Sequence, residues 1–135
     1  MPVQTSETEP KLFLYEYSVI RFVPSIEREE FINIGLLMMC KRHRWIKVRI
    51  NSDSPRIGAF TTCCDLECLA RQTESFVSIA EGAGCAGPIA SLEPHERFRW
   101  LTAVRSASIQ TSRPHPGKTE NLNRKFDELF KKLVL

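Results

Sequence analysis

The spacing of apolar and polar residues changes along the chain, and each change marks an element. Residues 12–23, LFLYEYSVIRFV, are dense in β-branched and aromatic side chains and run into Pro24, which predicts a strand. Residues 31–40 are apolar at both parities, the pattern of a strand covered on both faces. Residues 45–50, WIKVRI, alternate, placing Ile46, Val48 and Ile50 inward and Lys47 and Arg49 in water. The basic turn Lys41-Arg42-His43-Arg44 between these two runs predicts a hairpin.

Beyond residue 50 the period lengthens. A Ser or Asp ahead of Pro55 predicts a short helical piece over 56–61. Asp65 reads as the cap of a longer helix, in which Leu66, Leu69, Ala70, Phe76, Val77 and Ala80 recur at three- and four-residue spacing until Gly82. Residues 82–91 read as a loop, and Pro94 opens a short helix through residue 101. Residues 105–112 read as a fourth strand and 112–117 as a turn. The last helix carries Leu122, Phe126, Leu129, Phe130 and Leu133 on one face. Strands precede helices without repeats. The expected fold is therefore α+β, an antiparallel sheet of about four strands with the helices packed mainly on one face, the C-terminal helix among them.

Composition fits this reading. With 135 residues, 42% hydrophobic and 26% charged, the chain matches one domain, and residues 1–10 read as a flexible tail. The longest apolar run, 34–40, falls far short of the roughly 20 residues that span a bilayer. The acidic, polar start lacks the pattern of a secretory signal, so a cytoplasmic location is expected. Five cysteines, two of them adjacent, suit reduced thiols better than a disulfide framework. Cys64 and Cys68 share a helical spacing, but His43, His95 and His115 complete no ligand set, so no metal site is expected.

The net charge of +3 is unevenly placed. Lys41, Arg42, Arg44, Lys47 and Arg49 surround Trp45, an interleaving of bases and an aromatic that suits a nucleic-acid surface. A charged hairpin tip also keeps an edge soluble and unpaired. Arg97-Phe98-Arg99-Trp100 repeats the interleaving, and both tryptophans are expected to be core or partly buried.

Two phosphate motifs fail on context. The GxGxxG at 82–87 follows a helix and runs into Pro88, where the fingerprint must follow a strand and open a helix. Gly117-Lys118-Thr119 resembles the end of a P-loop, but Pro114 and Pro116 each remove a backbone N–H that would cradle phosphate. Thr119 is expected instead to cap the last helix. No cofactor is expected.

Polar groups inside apolar strands are the remaining signal. Arg21, Glu30 and Asn33 sit in or beside the first two strands, and Gly35 within the second marks a bulge or a close backbone approach. Arg105 precedes the fourth strand's row of Ser106, Ser108 and Gln110, opposite Ala107 and Ile109. Such groups require internal pairing or a ligand, so these eight residues form the candidate binding cluster.

Three stretches resemble the bacterial DUF3037 family: Tyr17 through Pro24; Arg28 through Glu30 with Asn33 and Gly35; and Arg97 through Thr102 running into Arg105 through Gln110. The ending, residues 126–134, also fits. One departure is Glu29, which stands where such proteins carry glycine. The resemblance implies no activity. It does imply a protein partner, because proteins like it are often encoded beside HipA-type kinases in a toxin–antitoxin-like arrangement. No nucleophile–base pair or paired carboxylates stand out, so an accessory or interaction protein without catalysis is expected. Alternatives are a nucleic-acid binder using the basic hairpin, and a small hydrolase or transferase centred on Arg21, Glu30, Arg105 and Ser108.

Overall fold

In a computed structural model, the structure describes residues 11–23, 30–51, 57, 64–84, 87–103 and 108–135. Among the described residues five strands form one antiparallel sheet: β1 (Phe13–Phe22), β2 (Ile32–Cys40), β3 (Trp45–Ile50), β4 (Ile109–Thr111) and β5 (His115–Thr119). Among the described residues the long helices are α1 (Cys64–Ala80), α2 (Pro94–Leu101) and α3 (Leu122–Leu133), with a 3-10 turn at Pro88–Ser91. The fold is α+β, as the order of strands and helices predicts.

The sheet order is β3-β2-β1, with both β4 and β5 on the far edge of β1. β4 pairs with residues 20–22 and β5 with residues 13–17. Between them, Ser112 bridges the gap: its N–H donates to the Val19 carbonyl at 2.9 Å and its Oγ accepts from the Val19 N–H at 2.9 Å. Residues 109–119 thus follow one edge as a broken strand. This corrects the turn expected over 112–117, while residues 105–107 of the expected fourth strand lie outside the described residues. Proline is tolerated here because an edge strand need not donate on both sides.

Both parities of β2 are indeed buried. Leu37 and Met39 join Ile20, Phe22, Leu69, Phe76, Phe98 and Leu101 in a core under α1 and α2. Leu36, Met38 and Cys40 join Tyr15, Phe126, Leu129, Phe130 and Val134 in a second core under α3. Two helices share one face, while the C-terminal helix takes the other, a correction that follows from β2 being apolar on both sides.

Within α1 the buried stripe is Leu69, Thr73, Phe76 and Ala80, at spacings of four and three. Ala70 points outward, and Thr73 takes a core position by donating its hydroxyl hydrogen to the Ala70 carbonyl at 2.9 Å. The helix starts at Cys64, so Asp65 lies in the first turn. It ends in a Schellman motif: Gly82, at φ 73°, donates to Ile79 O, and Ala83 donates to Ser78 O. The first glycine of the GxGxxG string is therefore a helix stop. Arg97 of α2 then clamps this end, donating to the carbonyls of Ala80 at 3.2 Å and Leu92 at 2.5 Å. Of the helical piece expected over 56–61, only Ile57 is described, and it is buried.

Candidate functional site

The polar residues of the strands meet in one row. Arg21 of β1 pairs across the sheet with Asn33 of β2 on one side and Gln110 of β4 on the other. The register shifts between Ile20 and Arg21, because β2 spends one extra residue there, Ile34. That bulge turns Asn33 toward the C-terminal end of α3, where its Nδ2 donates to the Leu133 carbonyl at 3.1 Å. The Arg21 guanidinium lies over the Phe31 ring, 4.1 Å from its centroid. Arg21 Nε and Asn33 Oδ1 are buried atoms without a hydrogen-bond partner among the described residues. The row offers a cation and two amides but no proton-transfer group.

Three other members of the candidate cluster are described. Glu30 is exposed at the start of β2, and Ser108 takes part through its carbonyl, which accepts from Val23 N at 2.7 Å. Gly35 faces the opposite core: a Cβ there would sit 2.6 Å from the Arg49 carbonyl oxygen and 2.9 Å from Ile50 Cγ1. Its role is close packing, and the row does not include it. Arg105 and Ser106 lie outside the described residues.

The basic hairpin is largely engaged by the rest of the chain. Alternation along β3 holds, with Ile46, Val48 and Ile50 packed on the α1 and α2 core. Its other face meets α3, which half-buries Lys47, while Arg49 stays exposed to water as expected. Lys47 donates to Asn123 Oδ1 at 3.1 Å and lies 4.9 Å from the Phe126 centroid. Arg49 pairs with Asp127 at 3.3 Å and lies over Phe126 and Phe130. Arg44, in the left-handed region at φ 51°, reaches Glu93 at 2.7 Å. Trp45 packs partly buried against the α3 core, whereas Trp100 is 40% exposed.

Lys41 and Arg42 instead border a groove of about 540 Å³ where the start of β1, the end of β2 and β5 lie side by side. Leu14, Met39 and Pro116 form its apolar lining, with Tyr15 and Gly117 behind. Tyr15 is buried, and its ring occupies the space a Cβ on Gly117 would need. Burial pushes the Tyr15 hydroxyl above its ordinary pKa, and the Glu128 carboxylate adds in the same direction. Glu16, the one carboxylate among the described residues that line the groove, takes two hydrogen bonds from Arg99 of α2, at 2.8 and 2.5 Å. Those hydrogen bonds raise the Arg99 pKa further.

The P-loop-like string resolves as edge strand. Gly117, Lys118 and Thr119 pair with Tyr15, Leu14 and Phe13. The helix cap is Asn121, whose side chain accepts from Arg124 N at 3.0 Å, while Thr119 Oγ1 accepts from Asn121 N. This replaces Thr119 as the expected cap. The groove and Arg97's clamp escape a reading of the sequence because both depend on elements far apart in the chain.

Fold and surface together define a small α+β domain with a sheet between helical layers and an apolar groove at one end. The family model for DUF3037, a protein of unknown function, matches residues 17–134, and the chain belongs to that family. No curated protein and no solved structure matches it. Among the described residues, no helix is long and apolar enough to cross a membrane.

Proposed function

We propose that this chain is a non-enzymatic accessory protein that binds a protein partner, a kinase-like protein encoded beside it. The observation that carries this reading is the groove beside Lys41 and Arg42. Among the described residues its floor is apolar and the one carboxylate is held by Arg99, so it suits an incoming apolar side chain better than a reacting group. The row of Arg21, Asn33 and Gln110 likewise lacks a base. The nucleic-acid reading loses support because Arg44, Lys47 and Arg49 are each held by this chain's own side chains.

Co-expression with the neighbouring kinase-like protein, followed by gel filtration, tests the proposal. A complex that co-elutes from wild type and is weakened by Lys41→Glu with Arg42→Glu is expected. Separate elution of the two wild-type proteins at micromolar concentration overturns it.

A further inference from the structure

The rim and the floor of the groove differ in character. Met39 lies on the floor at 2% exposure, and Leu14 stands beside it at 61%, a large apolar side chain left open to water. Lys41 and Arg42 are exposed, and among the described residues neither side chain has a salt-bridge or hydrogen-bond partner. Arg99 already neutralises Glu16, so the local field is positive. Two unpaired cations beside an apolar floor favour an anionic group carried next to an apolar one.

A polynucleotide fits this poorly. It needs a track of cations and an exposed ring on which bases stack, but the described lining of the groove holds two cations, and its Tyr15 ring is buried against Gly117. Strand addition at the β5 edge is also disfavoured, since Pro116 has no N–H to offer. Recognition therefore falls to side chains.

We infer that the groove takes a protein segment in which one large aliphatic or aromatic residue is flanked by Asp or Glu. This rests on the accessory-protein reading and specifies the chemistry of the partner. The apolar residue seats against Leu14, Met39 and Pro116, and the carboxylates meet Lys41 and Arg42.

Selection of phage-displayed random dodecapeptides on the full chain, counter-selected on Leu14→Arg, tests this. Leu14, Lys41 and Arg42 are exposed, so their variants keep the fold, which circular dichroism checks. The expected consensus is one large apolar residue close to Asp or Glu. In fluorescence anisotropy, the selected peptides should bind about tenfold more weakly when the apolar residue becomes Ala, and likewise to Lys41→Glu with Arg42→Glu. Enrichment without that consensus, equal binding to Leu14→Arg, or tighter binding of a single-stranded oligonucleotide of matched charge overturns the inference. The two readings fail separately. A partner that co-elutes undiminished by these variants leaves the accessory role and removes the groove, whereas enriched peptides without a co-eluting kinase-like protein do the reverse.

Discussion

Two glycines show how much a single missing carbon decides. Gly117 faces the Tyr15 ring across the β1–β5 pair, and the ring fills the place of the absent side chain. Gly117→Ala should therefore destabilise the protein by about 1–3 kcal/mol, as overpacking in a filled site does, read as a fall in the urea midpoint. In a Tyr15→Leu background the alanine should cost clearly less; an equal cost in both backgrounds would mean the ring is not what excludes it. Gly35 follows the same rule with backbone as its neighbour, and that role was legible in the sequence, since glycine inside an apolar strand signals close approach. The role of Gly117 was not. Its Gly-Lys-Thr context points to phosphate, and only the cross-strand position of Tyr15 explains it. Of the candidate cluster, Arg21, Asn33 and Gln110 meet because strand parity and the bulge at Ile34 align them on neighbouring strands.

Among the elements, those with strong periodicity were read most faithfully. β1, β2, β3, α2 and α3 lie within about a residue or two of their expected bounds, because each buries a stripe or a face whose spacing is written in the residue types. β5 was missed because two prolines and a glycine read as a turn, yet at an edge each is tolerated. That strand displaces the start of α3, and with it the cap. Asn121→Ala should cost about 1 kcal/mol by removing the acceptor for Arg124 N, with Thr119→Ala costing less, both measured by thermal unfolding. The reverse order would return the capping role to Thr119.

For the molecule as a whole, the sequence showed how much charge there is but not where it is spent. A basic hairpin is visible in residues 41–49; that α3 covers one side of it is not, because the helix joins the sheet from 76 residues away, the span from Lys47 to Asn123. Lys47 and Arg49 lie over Phe126 and Phe130, so the pair acts as a lid on the α3 core. Replacing both with alanine should cost about 1–2 kcal/mol and lower the urea midpoint. An unchanged midpoint would show these cations to be idle solvated groups.

The division of the two cores has an implication for synthesis. Among the described residues, one side of β2 is covered by α3 and Val134, so a nascent chain exposes Leu36, Met38 and Cys40 until that segment has been made. Premature termination before that segment would leave a sticky, half-clad sheet, the kind of species chaperones and proteases intercept.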